Sequence, residues 1–197
     1  MAEDRTDPGL FWLDPDERGI IPLVGFHVPR KLRKTILAQP YDVRFDTSFR
    51  AVMQACAQPA EGRDNTWISE RIEALYCNLH TRGFAHSVEC WHEGALVGGL
   101  YGVAIGGAFF GESMFHTATD ASKIALTYLV ARLRYGGFQL LDTQFITTHL
   151  MQFGALEIPR SEYHSRLEAA LLSEADFQKL PFSASPAEVL HCITQTS

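Results

Sequence analysis

Glu112, Asp142 and Gln144 stand in two segments, Phe109–Phe115 and Leu140–Gln144, that otherwise read as buried strands. Each of these residues can hold an amine or handle its protons. Polar groups cost free energy in a core unless they are paired, so their presence there calls for a chemical reason. Residues i and i+2 on a strand point to one face, which predicts that Asp142 and Gln144 lie side by side. A carboxylate next to an amide can accept hydrogen bonds from an amine and orient it, although the amide alone is a poor base. A structural Asp–Gln pair would leave the same signature. Glu112, at a strand end, is either a solvated terminus or the partner of a cationic group.

The surrounding elements follow from periodicity and turn chemistry. A helical run from Ala121 to Tyr135 joins the two segments, with Asp120 as its expected N-cap and Gly136-Gly137 as its stop. Upstream, Ala85–His92 alternates, Glu93-Gly94 makes a hairpin turn, and Ala95–Ile105 is a long strand. Its Gly98, Gly99 and Gly102 mark a bulge or a close approach by another backbone or a ligand. Gly106-Gly107 then turns the chain into Ala108–Glu112, completing an antiparallel meander.

Short strands are expected at Gly19–Leu23 and Tyr41–Phe45, and helices at Arg30–Ala38, Ser48–Ala57 and from Ser69 to Gly83. After a central strand at Phe138–Phe145 come a helical turn or two (Thr147–Phe153), a short strand at Glu157-Ile158 and a helix from Ser161 to Leu172. This order resembles the GNAT-type acyltransferase fold, an α/β (α+β) architecture with a mixed, mostly antiparallel sheet flanked by helices. Residues 1–24 are read as a lead-in and the remnant of a small N-terminal lobe, 25–172 as the GNAT-like catalytic domain, and 173–197 as a weakly structured or surface extension.

The 197 residues suit one substantial domain, and 46% hydrophobic with 20% charged residues is ordinary for a globular protein. No apolar run approaches the ~18 residues of a membrane span. The polar, acidic opening Met-Ala-Glu-Asp-Arg-Thr-Asp-Pro is no signal peptide, so a cytoplasmic location is expected. Cys56, Cys77, Cys90 and Cys192 lack CxxC spacing and are expected as free thiols. The histidines are dispersed too, and no metal site is expected.

A net charge of −6 argues against non-specific coating of nucleic acid, yet it hides one segregated cluster. Arg30, Lys31, Arg33 and Lys34 crowd into a single helix, as either a phosphate-contacting patch or a solvated face. Phe11 and Trp12 either pack on the main body or wall a pocket. Trp67, where a loop enters a helix, is either a core anchor or an exposed stacking platform.

Short motifs in order are more specific than any one of them. Trp67-Ile68, Gly98-Gly99-Leu100-Tyr101-Gly102-Val103, Phe110-Gly111-Glu112-Ser113-Met114-Phe115, Ala121-Ser122-Lys123, Leu141-Asp142-Thr143-Gln144 and Gly154-Ala155-Leu156-Glu157-Ile158-Pro159-Arg160 follow one another here. In this the chain resembles the bacterial leucyl/phenylalanyl-tRNA–protein transferases, from about Gly9 to Leu171. Phe115-His116-Thr117 departs from the family's usual Phe-Ser-Arg and removes a cation beside the site. Met1-Ala2 sits where an N-terminal turn of the family would end, so part of a small N-terminal lobe is expected to be missing.

The resemblance implies transfer of Leu or Phe, with Met as a further donor, from aminoacyl-tRNA to the α-amine of proteins beginning with Arg or Lys. That step marks them for N-degron proteolysis. The aminoacyl-tRNA is the donor substrate and no cofactor is implied; a monomer without membrane attachment is expected. By the same resemblance, Gln144 accepts from the attacking amine while Asp142 orients or polarises the arrangement, and Glu112 holds the acceptor N-terminus. Leu100, Phe109, Leu129 and Leu141 would form the donor side-chain pocket, and Trp67, Tyr76 and Trp12 would stack on the terminal adenosine. Arg30, Lys31, Arg33 and Lys34 would hold tRNA phosphates.

Two rivals are weaker. An acetyl-CoA-dependent N-acetyltransferase of the same fold needs a glycine-rich pyrophosphate loop before the long helix, and Met114–Asp120 contains no glycine. A non-catalytic binder of basic N-terminal residues would account for Glu112 but not for Asp142 and Gln144.

Overall fold

The structure, a computed structural model, describes residues 14–59 and 66–194. Its strands are β1 (Glu17–Ile20), β2 (Asp42–Phe45), β3 (Ala85–His92), β4 (Ala95–Ile105), β5 (Ala108–His116), β6 (Leu140–Gln144) and β7 (Leu156–Pro159). Its helices are α1 (Arg30–Leu37), α2 (Phe49–Cys56), α3 (Glu70–Thr81), α4 (Ala121–Gly136), α5 (Thr148–Met151), α6 (Arg160–Leu171) and α7 (Pro186–Thr194). The strands form one seven-stranded sheet in the order β2-β3-β4-β5-β6-β1-β7. Every neighbouring pair is antiparallel except β5 and β6.

The expected meander of β3, β4 and β5 is present, and its turns have local causes. Glu93 and Gly94 take φ of 49° and 80°, as a two-residue type I′ turn requires. The glycines of β4 also serve as expected. A Cβ on Gly98 would lie 2.5 Å from the Ala121 Cβ, so glycine lets the start of α4 settle on the strand.

The crossover helix α4 makes the β5–β6 pair parallel and is buried on almost every side, as a helix apolar all round must be. Burying each of Ile124, Leu126, Leu129 and Leu133 contributes about 1.5–3 kcal/mol. One side of α4 packs on β3, β4 and β5, while α1 and α7 pack against it as well. Across the sheet, Val52 and Met53 of α2 meet Tyr101 and Val103 of β4. Beneath β1, β6 and β7, Tyr163 and Ala170 of α6 close a smaller cluster with Ile20, Leu140 and Ile158.

Several expectations are corrected. The strand expected at Gly19–Leu23 is present but starts two residues earlier, as β1, and it enters the sheet between β6 and β7. β5 does not stop at Glu112 but runs to His116, because the register shifts between Tyr101 and Gly102 and leaves Glu112 as a bulge. Asp120 holds the N-cap position of α4, but its side chain bonds no backbone N–H there. It has φ 61°, and its carboxylate takes Lys123 Nζ at 2.7 Å.

Residues 174–194 are not a surface extension, since Phe177, Leu180, Val189, Leu190 and Ile193 are buried in the main core. Arg132 of α4 fastens them by donating to the Phe177 and Leu180 carbonyls at 2.8 Å each. Its guanidinium lies 4.0 Å from the Phe45 ring and 4.7 Å from Phe182, a desolvated cation–π contact. Burial pushes this guanidinium down to about 10. Ser185 and Glu188 form a capping box that starts α7.

Candidate functional site

β5 and β6 pair only over Ala108–Phe110 and Leu140–Asp142. Past those residues the strands part, as Glu112 bulges from β5 and Gln144 leaves β6 with φ 65°. A cavity of about 280 Å³ opens in the gap, close to the lower end of the ~300–1,000 Å³ typical of small-ligand sites. The C-terminal ends of parallel strands are where open α/β sheets bind ligands. Leu100, Met114, Leu126, Leu129, Leu141 and Leu150 give the cavity an apolar side, and Trp67, Glu112, Ser113, Thr143, Gln144 and Thr147 give it a polar one.

Asp142 and Gln144 meet through the Gln144 backbone, with no hydrogen bond between their side chains. Asp142 is fully buried on the α6 face of the sheet. The positive φ at Gln144 breaks the alternation and turns its side chain toward Glu112, with Nε2 donating to Oε2 at 3.3 Å. A carboxylate only accepts, so the amide must present its NH₂ to Glu112, which leaves Oε1 as the acceptor atom.

Asp142 holds Gln144 by its backbone: the Gln144 N–H donates to Oδ1 at 2.7 Å. A left-handed residue other than glycine costs about 1–3 kcal/mol. A hydrogen bond to a charged group returns about 1.5–3 kcal/mol, so this one bond can hold the turn. Arg18 Nε and Nη2 grip the carboxylate at 3.0 and 2.7 Å, and the Tyr163 hydroxyl donates at 2.9 Å. Burial alone would lower the Arg18 guanidinium, but the bond to Asp142 and its charge outweigh that and raise it. Burial first, and the Asp142 charge second, push the Tyr163 phenol up.

Glu112 is pushed above the usual carboxylate range, chiefly by desolvation, while hydrogen bonds from Tyr76 and Gln144 act the other way. Among the described residues no Lys or Arg forms an ion pair with it within 4.0 Å. A half-buried carboxylate of this kind is suited to an incoming cation.

The remaining candidates divide. Leu100, Leu129, Leu141 and Trp67 line the cavity. Phe109 does not: it is fully buried under β4 and stacks on Phe177 at 5.9 Å. Tyr76 is not a lining residue either, standing edge-on to Trp67 at 6.4 Å with its hydroxyl committed to Glu112. Phe11 and Trp12 lie outside the described residues. Arg30, Lys31, Arg33 and Lys34 are exposed on α1, whose Leu32 and Ile36 face the core. None of the four cations pairs with a carboxylate among the described residues.

Arg18 and Tyr163 escape a reading of the sequence, because their partner is 124 and 21 residues away and no local pattern announces it. Met114, Leu126 and Leu150 also line the cavity, and no local pattern sets them apart from core residues. Among the described residues, no three His, Cys, Asp or Glu side chains converge as a metal site, and no helix is long and apolar enough to cross a membrane.

Comparison with known proteins adds an independent finding. A family model described as leucyl/phenylalanyl-tRNA protein transferase matches residues 20–168. A protein of that name from Maricaulis maris is 58% identical over 197 residues, covering 100% of this chain and 91% of the relative. Namesakes from Phenylobacterium zucineum and Caulobacter vibrioides are 55% and 53% identical, each covering 100% of this chain and 91% of the relative.

Proposed function

The chain belongs to the leucyl/phenylalanyl-tRNA–protein transferase family, and on that premise we propose how its cavity performs the transfer. It is an aminoacyltransferase that moves an aminoacyl group from tRNA to protein. The donor is Leu or Phe, whose side chain enters the apolar side of the cavity among Leu100, Leu126, Leu129 and Leu141. Trp67, at the same cavity, stacks on the terminal adenosine. The acceptor is the α-amine of a protein beginning with Arg or Lys, with Glu112 meeting the positive charge of that basic side chain.

The amine nitrogen attacks the ester carbonyl carbon, a C–N bond forms, and the bond to the ribose oxygen breaks. The proton lost by the amine balances the ribose hydroxyl that leaves. Gln144 Oε1 accepts from the amine and aims its lone pair. Positioning is the larger lever, worth up to ~7–11 kcal/mol in well-oriented cases. The observation that carries this reading is the Gln144–Glu112 hydrogen bond on the polar side of an otherwise leucine-lined cavity.

Lys and Arg of α1 hold tRNA phosphates, which adds affinity without base specificity. The split between β5 and β6, followed from one strand to the other by a long helix, supports a GNAT-like reading of the sheet. Products of the reaction would enter N-degron proteolysis in the cytoplasm, and the enzyme would act as a monomer.

Charged Phe-tRNA supplied with an Arg-starting peptide should give labelled peptide, and an Ala-starting peptide far less. No labelled peptide at all would sink the reading. Equal labelling of the two peptides would sink the assigned acceptor preference.

A further inference from the structure

We propose that Arg18 and Tyr163 are positioning residues for the transfer, acting through the Asp142 carboxylate on the backbone of Gln144; the inference rests on Gln144 being the group that meets the amine. A carboxylate offers about four lone-pair sites, and here four donors fill them. Arg18 Nε and the Gln144 N–H go to Oδ1, and Arg18 Nη2 and the Tyr163 hydroxyl go to Oδ2. Asp142 is fully buried and has no face toward the cavity. It therefore cannot take the amine's proton without giving up a bond it already makes. Its work is to hold Gln144.

The clamp has its own support. Arg18 lies over the Tyr163 ring at 5.1 Å, so one side chain of α6 both stacks on the guanidinium and donates to the carboxylate that it grips. β1 brings Arg18 in through a close approach at Gly19, where a Cβ would lie 2.8 Å from the Phe145 carbonyl carbon. Gly19 pairs with Gln144 itself. Three elements thus converge on one backbone N–H, and the outcome is the left-handed turn that points the Gln144 amide at Glu112. Loosening any one of them lets the turn relax toward the extended backbone of β6.

The decisive variants are Tyr163→Phe, which keeps the ring and removes only the donor, and Arg18→Lys, which keeps the charge and loses the two-pronged grip. Transfer kinetics should show kcat reduced about 10-fold in the first and more in the second, with KM for tRNA and peptide unchanged, since small misplacements at a reacting centre cost up to ~100-fold. Amide hydrogen exchange should quicken over Leu140–Ile146 while α4 stays protected. Unchanged kcat, a raised KM, or unchanged exchange over that segment would overturn the proposal. Faster exchange throughout the molecule would also overturn it by making the clamp a general staple. If Tyr163→Phe fails to fold, the same readouts on Arg18→Lys decide. Wild-type protein that transfers nothing refutes the functional reading instead, and the clamp proposal falls with it.

Discussion

At the scale of single residues, the site depends on two polar groups in different electrostatic situations. Gln144→Ala should lower the transfer rate at least 10-fold with little change in tRNA affinity, because positioning rather than binding is lost; a large rise in tRNA Kd would reassign the residue to binding. Glu112→Gln tests the desolvated carboxyl. Its folded pKa lies above the unfolded value, so the folded state binds the extra proton, and the wild type loses stability as pH rises through that interval. The glutamine variant should therefore melt above wild type at pH 8, with the gap closing on acidification, while its rate toward Arg-starting peptides drops. A gap that widens in acid would show that the sign is wrong. The residue types of this site were legible in the sequence, but their geometry was not. Alternation placed Asp142 beside Gln144, and a single positive φ turned the Gln144 side chain toward Glu112 while its backbone N–H went to Asp142.

At the scale of elements, the hairpins and the long helix announced themselves because their causes are local: Glu93-Gly94, Gly106-Gly107, and a helix stopped by Gly137 with φ 87°. The helix α7 was missed, although its causes are as local: a Ser185-Pro-Ala-Glu188 capping box and apolar Val189, Leu190 and Ile193. The bulge at Glu112 was not legible, since it appears only when β4 is set against β5. Close contact between β4 and α4 gives a test at this scale. Gly98→Val would drive a side chain into Ala121, already 2.5 Å from a modest Cβ. Overpacking of this kind costs about 1–3 kcal/mol, to be read as a lower urea midpoint. Leu126 and Leu129 would move with α4, so transfer from Phe-tRNA should weaken too. An unchanged midpoint would mean that helix and strand separate freely.

At the scale of the whole molecule, a chain of net charge −6 concentrates four cations on α1, the proposed contact for tRNA phosphates. Lys31→Glu should weaken tRNA binding most at low salt and reduce the slope of log K against log salt by about 1 or more. A loss independent of salt would point to damage elsewhere. Sheet order adds a matter of time. β1, from the start of the chain, is seated between β6 and β7 from its far end. Such pairings close long loops and form slowly. On refolding from urea, helical signal should return first and transfer activity only with the slowest phase; activity that returns with the first phase would refute this. Until Arg18 reaches Asp142, 124 residues away, the proposed clamp on the Gln144 turn is incomplete. A nascent or half-refolded chain would carry the cations of α1 before it carried a fully clamped Gln144.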